Sequence, residues 1–272
     1  MLRAKLSVVP AFALVASLSA LLMGCSSTTN VDKTAGWSTS RIYSEAKDEV
    51  SAGAYDKAVP LFEKLEGRAA GTPLAQQAEL EKAYAQYKAG EQAQAIATLD
   101  RFIRLHPASP GMDYALYMKG IVNFNDNLGL FANITRQDLS ERDQKAAKDS
   151  FESFKELSTR FPDSRYTPDA RQRMIYIVNS LAQYEVHVAR YYYSRGAYVA
   201  AINRAQIAVT EYRDVPAAQE ALVILAKSYD ALGMTQLRDD ARRVLEKNYA
   251  DGADLSNRSL KNKASDPWWK IW

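Results

Sequence analysis

A chain of 272 residues with 47% hydrophobic and 25% charged side chains can bury a sizeable core, which excludes a disordered chain and a multi-span membrane protein. The formal charge of +3, close to +1 once Arg3 and Lys5 are set aside with the leader they belong to, excludes the basic stripe of a nucleic-acid binder. Cys25 is the only cysteine, so no disulfide can form within the chain.

Residues 1–24 read as an export signal: Arg3 and Lys5 precede an apolar, small-residue run from Leu6 to Met23. A single spanning helix has similar length, so the run alone leaves a membrane anchor open. Leu22-Met23-Gly24-Cys25 resembles the bacterial lipobox, in which a small residue precedes a cysteine that accepts lipid before the signal is removed. Cys25 is therefore the expected lipidation site. Ser26 in place of Asp after it resembles the sorting pattern for the outer membrane of a Gram-negative cell. Residues 25–40, rich in Ser, Thr, Asn and Gly, read as a tether reaching about 20 Å.

From there the chain repeats. Ala46, Ala83 and Gly120 are 37 residues apart, as are Ala189 and Ala226. Seven residues after four of these five comes a glycine, Gly53, Gly90, Gly196 or Gly233, suited to ending one helix and turning the chain. Five further on lie Ala58, Ala95 and Ala201, where a second helix needs a small side chain. This order of residues resembles the tetratricopeptide pattern.

The stretch Asp100 to Gly120 shows the junction between repeats. Ala95, Ile96, Leu99, Phe102 and Ile103 place apolar groups on one helical face. Pro107 and Pro110 end that helix, and Tyr114, Tyr117, Ile121 and Phe124 carry helical spacing into the next. Gly120 leaves a flat spot for close approach.

The third repeat is interrupted by about 18 extra residues near Asn125 to Glu141, before Ser150, Phe154, Leu157 and Pro162 resume the pattern. Leu128, Leu130 and Phe131 give that insertion apolar content, suited to packing or to partner contact. Pro168 to Arg195 is one long helical pattern, with Met174, Ile177, Val178, Leu181, Tyr184, Val188, Tyr191 and Tyr192 on its apolar face, bridging two halves. The predicted fold is all-α: an α-solenoid of five tetratricopeptide-like helix pairs, with repeats 1–3 in 41–166 and repeats 4–5 in 167–250. The polar helix RDDARRVLEKNY caps the array.

Residues 251–272 are charged and end in Asp-Pro-Trp-Trp-Lys-Ile-Trp. Trp268, Trp269 and Trp272 demand burial, either in a groove of the array or a partner's surface, or by folding back on the last repeat.

Chemistry is sparse. His106 and His187 stand far apart with no cysteine to join them, so no metal or other cofactor is expected. No phosphate loop, nucleophile elbow or His-Glu-x-x-His motif is present, and Asp239-Asp240 reads as solvated surface. The expectation is a binding protein, not an enzyme.

The lipobox, tether, interrupted third repeat, DRFIRLHPASPGMDYALYMKG and the run from Asp169 to Arg204 together resemble the BamD (ComL) family, lipoproteins of the outer-membrane β-barrel assembly (BAM) machinery. The resemblance covers nearly all of Cys25 to Tyr249. It implies a lipid-anchored scaffold on the periplasmic face of the outer membrane. Its partners would be a periplasmic domain of the barrel subunit BamA, other BAM lipoproteins and unfolded β-barrel substrates. A periplasmic tetratricopeptide adaptor for envelope biogenesis or cell division is the alternative.

The family's partner-binding arginine maps onto Arg204, with Asn203 beside it and Tyr198 before it. Read without the family, Arg204 is a solvated helix arginine. For substrate signals the family pattern maps onto Arg68, Gln76 and Gln77, with Tyr84 and Tyr87 as groove or core residues. The family's Arg-Tyr-Pro turn is replaced here by Arg68-Ala69-Ala70-Gly71-Thr72-Pro73, which lacks its aromatics.

Overall fold

The computed structural model describes residues 32–124, 144–212 and 215–249. Cys25, the insertion near 125–141 and Trp268, Trp269 and Trp272 lie outside the described residues. The chain divides into two units, residues 1–38 and 39–272. In the first, the Thr34 hydroxyl donates to the Asp32 carboxylate at 2.7 Å and the Thr34 amide at 3.0 Å, closing a turn.

The second unit is helical throughout its described residues: α1 (Thr39–Ser51), α2 (Tyr55–Arg68), α3 (Pro73–Lys88), α4 (Gln92–Leu105), α5 (Met112–Phe124), α6 (Gln144–Arg160), α7 (Thr167–Ser194), α8 (Tyr198–Glu211), α9 (Pro216–Ala231) and α10 (Thr235–Asn248). Each helix packs on the next, and α7 also packs on α9. This is the expected succession of helix pairs.

Four of the five pairs turn by the same local chemistry. Gly53, Gly90, Gly196 and Gly233 all have φ between +69° and +84°, a region that side chains with a Cβ rarely enter. The amide after each glycine returns to a carbonyl five residues back: Ala54 to Glu49, Glu91 to Gln86, Ala197 to Tyr192 and Met234 to Tyr229, all at 2.8–3.0 Å. These bonds satisfy carbonyls that the helix end would otherwise leave open. Between pairs the rule changes. Prolines begin α3, α7 and α9, where a missing amide costs nothing, and Thr72 caps α3 by accepting from the Ala75 amide.

The recurrent small residues sit where helices meet. Ala46, Ala83 and Ala189 are fully buried, as are Ala58, Ala95 and Ala201. At Gly120 the fit is closest. A Cβ placed there would lie 2.3 Å from the Phe154 ring, and the Ser150 hydroxyl donates to the Gly120 carbonyl at 2.8 Å. Phe154 is fully buried against this notch.

Two apolar clusters meet at α5. Ala115, Met118 and Val122 pack with Leu80, Leu99 and Phe102 of α3 and α4, while Met112, Leu116 and Phe124 join the cluster running from α6 to α10. Burial therefore extends around α5, and Tyr114, Tyr117 and Ile121, expected on its apolar face, are its half-buried flank. On α7 the buried set is Thr167, Ala170, Ile177, Ser180, Leu181, Ala182, Glu185, Val186 and Ala189. Tyr191, expected on the apolar face, is instead 55% exposed. A helix of 28 residues that meets α6, α8 and α9 in turn cannot keep one buried stripe along its length.

A charge network ties α2, α3 and α4. Arg101 donates to Glu66 at 2.5 Å and to Glu79 at 2.9 Å, and Lys82 reaches Glu66 at 2.7 Å. Glu79 and Lys82 are nearly fully buried, and pairing offsets the cost of placing such groups there. His106, at the end of α4, places Nε2 3.5 Å from the second Glu79 oxygen.

Two substitutions test this packing. Gly120→Ala should lower the unfolding free energy by about 1–3 kcal/mol despite alanine's better helix propensity, and Phe154→Leu added to it should recover part of the loss; denaturant unfolding followed by circular dichroism measures both. Arg101→Ala should cost about 1–2 kcal/mol in the same assay, tempered by solvent around the 40%-exposed arginine, with Glu79→Gln restoring part.

Candidate functional site

The C-terminal candidate residues lie on α8. The Gly196 turn reverses the chain after α7, and Ala201, Ala205 and Ala208, all fully buried, let α8 approach its neighbours closely. Their spacing of four and three keeps them on one face. Arg204 is thereby carried to the flank of α7, where its Nη1 donates to Glu185 Oε2 at 3.1 Å. The Glu185 side chain is 7% exposed and that of Arg204 39%. The hydrogen bond from Arg204 to Glu185 raises the arginine's pKa, and Tyr184 and Tyr192 add smaller effects in the same direction.

Asn203 faces solvent, one helical position away from Arg204 and in line with Val199, which is 60% exposed. Tyr198 is half-buried and set edge-on against Tyr193, ring centroids 5.6 Å apart. The three residues therefore occupy different sides of α8, and only Arg204 reaches α7 through its charge. A second guanidinium, Arg190 of α7, holds Glu220 of α9 through Nε at 2.8 Å.

Glu185 escaped the sequence reading, although a signal was present. It stands between Leu181 and Ala189, four residues from each, on what is otherwise a buried stripe. A carboxylate in such a position needs a cation from another helix.

The N-terminal candidates divide along α3. Gln77 donates to the Tyr43 hydroxyl of α1 at 2.7 Å, and Lys47 of α1 reaches Glu81 at 3.0 Å. Tyr84 meets Tyr55 edge-on at 6.3 Å, and the Lys88 ammonium lies 5.9 Å from the Tyr55 ring centre. Gln77, Glu81, Tyr84 and Lys88 thus form one polar stripe of α3. Gln76 and Tyr87 belong to the neighbouring stripe, whose Leu80 and Ala83 are buried, and Tyr84 and Tyr87 are both half-buried against the same apolar cluster. Arg68 is exposed in the last turn of α2.

Tyrosines continue this pattern on α5 and at Tyr166, just before α7, where they pack against the core and also use their hydroxyls. The Tyr117 hydroxyl donates to Asp169 at 2.8 Å, and Arg173 reaches the same carboxylate oxygen at 2.7 Å. Tyr166 stacks on Tyr117 with centroids 4.7 Å apart and lies 5.6 Å from Tyr114. Burial, reinforced by Glu81, pushes the Tyr114 hydroxyl well above the usual tyrosine range. Tyr43 with Gln77 thus links α1 to α3, and Tyr117 with Asp169 links α5 to α7, contacts whose tyrosines can meet both apolar side chains and amide groups.

On another side, α4, α5 and α6 border an open groove of about 570 Å³ lined by Ile96, Ile103 and Leu116 among others. Its rim is charged, with Lys119 held to Asp100 at 2.6 Å. No group of His, Cys, Asp or Glu among the described residues is arranged to hold a metal ion. No helix among them is long and apolar enough to cross a membrane.

Comparison with known proteins locates this architecture. Residues 36–244 match the YfiO family model, described as an outer membrane lipoprotein. An outer membrane protein assembly factor BamD of Neisseria meningitidis is 42% identical over 263 residues, spanning 95% of this chain and 98% of that protein. Proteins of the same name from Xylella fastidiosa and Vibrio cholerae are 35% and 34% identical, covering 85% and 84% of this chain and 79% and 94% of theirs. With its helix pairs matched across most of their length, the chain belongs to the YfiO family of outer membrane lipoproteins.

Proposed function

We propose that this protein is a lipid-anchored scaffold of outer-membrane β-barrel assembly, held on the periplasmic face by acylated Cys25. The observation that carries the reading is the near end-to-end match to proteins named as outer membrane protein assembly factors. It acts by binding and not by catalysis. The work is to hold the barrel subunit BamA and to receive unfolded barrel substrates, with other lipoproteins of the machinery alongside.

The two candidate surfaces fit those tasks by their chemistry. Arg204 presents a permanent cation with a planar fork, suited to a carboxylate on a folded partner domain. The tyrosine-bearing stripes of α3 and α5 suit a less selective contact, since tyrosine offers apolar area and a hydroxyl at low entropic cost. Substrate recognition through Arg68, Gln76, Gln77 and Tyr84 then proceeds without the aromatic turn that residues 68–73 lack. Three acyl chains on the cysteine give durable anchoring where one chain gives only marginal binding. The tryptophans at 268, 269 and 272 are assigned to contact with the array or a partner.

Affinity recovery of the lipidated protein from detergent-solubilised outer membrane should bring with it a large β-barrel subunit; recovery without one refutes the reading. Arg204→Glu should weaken that recovery by on the order of tenfold or more, measured by quantitative immunoblotting of the barrel subunit.

A further inference from the structure

Arg204 does not stand alone at its surface. Its Nη1 is held by a carboxylate of its own chain, and that carboxylate, Glu185, is 7% exposed while the arginine is 39% exposed. A buried acid beneath a half-exposed base has a direction: the charge that shows at the surface is the guanidinium, and the acid behind it is shielded. The contact engages one end of the fork, whereas a guanidinium carries five N–H donors distributed around its plane.

We propose that Glu185 is a positioning residue for the partner contact, fixing Arg204 through Nη1 so that the remaining edge of the guanidinium faces outward to accept a partner carboxylate. The proposal rests on the assignment of Arg204 to the interface made above. It is independent of which carboxylate the partner supplies.

The physical case is one of pre-organisation. Binding an unrestrained arginine carries the loss of its rotamer freedom at the moment of association. Glu185 already restricts that freedom in the unbound chain. The same carboxylate also limits the alternative, in which Arg204 swings wholly to the partner. That movement would leave Glu185 buried and unpaired, which is strongly unfavourable. A shared arrangement, own-chain carboxylate at one end and partner carboxylate at the other, keeps both acids paired. The buried flank of α7 supports it, since Leu181 and Ala189, four residues to either side, are buried with Glu185 on the same face.

A double-mutant cycle tests this. The lipidated full-length chain is titrated against the purified large β-barrel subunit in detergent, using wild type, Glu185→Gln, Arg204→Ala and the double variant, with the thermal midpoint of each recorded. Glu185→Gln is close to isosteric and removes only the charge. It should weaken binding about fivefold, and in the Arg204→Ala background it should have no further effect. Glu185→Asp, which keeps the charge on a shorter stem, should recover part of the affinity lost in Glu185→Gln.

Wild-type affinity in Glu185→Gln together with weakened Arg204→Ala overturns the positioning role and leaves the Arg204 assignment standing. Tighter binding by Glu185→Gln overturns it too, making Glu185 a competitor for the arginine. Additive losses in the double variant, or a loss that tracks the fall in thermal midpoint across all variants, reduce Glu185 to a structural residue. Unchanged affinity in Arg204→Ala removes Arg204 from the interface, and the proposal falls with it.

Discussion

The structure depends on close helix approach at positions where a side chain is small or missing. Ala46, Ala83, Gly120 and Ala189 mark where one helix presses on another, and Gly120 receives the Phe154 ring directly. Apolar burial at roughly 25 cal/mol per Å² rewards such contact only if the backbones come near enough for side chains to interlock. The 37-residue spacing keeps those notches in register from pair to pair. In four of the five pairs a positive-φ glycine then sets where the first helix stops, so that its partner starts with the right face inward.

This explains why so much of the architecture could be read before any coordinates. Gly53, Gly90, Gly196 and Gly233 are local signals: a left-handed residue and a returning amide depend on neighbours in sequence and on little else. Pro73, Pro168 and Pro216 act locally too. Cross-helix choices were harder. Arg101 finds Glu66 and Glu79, 35 and 22 residues earlier, only because three helices place them at one corner. Tyr114 and Tyr117 pack against the core as their spacing on α5 predicts, but the Tyr117 hydroxyl's bond to Asp169, 52 residues away, depends on the placement of α7.

The same difference separates the two candidate surfaces. Arg204 was identified by resemblance, and the geometry adds what the resemblance lacked, a buried carboxylate partner on α7. The N-terminal set rests on partial resemblance, and the helix geometry divides it, placing Gln77 and Tyr84 on one stripe of α3 and Gln76 and Tyr87 on the next, with both tyrosines half-buried against the core. A scaffold needs both properties: rigid placement of a charge for a folded partner, and a tolerant polar and aromatic surface for chains that are still unfolded. Rigid helix pairs supply the first without excluding the second, because each stripe is carried on a helix fixed from its opposite side.

On the function proposed above, this chain promotes the folding of β-barrels into a membrane by holding other components in place. Reconstitution in proteoliposomes measures it most directly, with the barrel subunit and its remaining lipoproteins present, this chain added or omitted, and conversion of an urea-denatured barrel substrate to its heat-modifiable folded form followed over time. The account predicts a marked fall in folded substrate when the chain is omitted and recovery when the lipidated protein is restored. Equal yields with and without it would contradict the account.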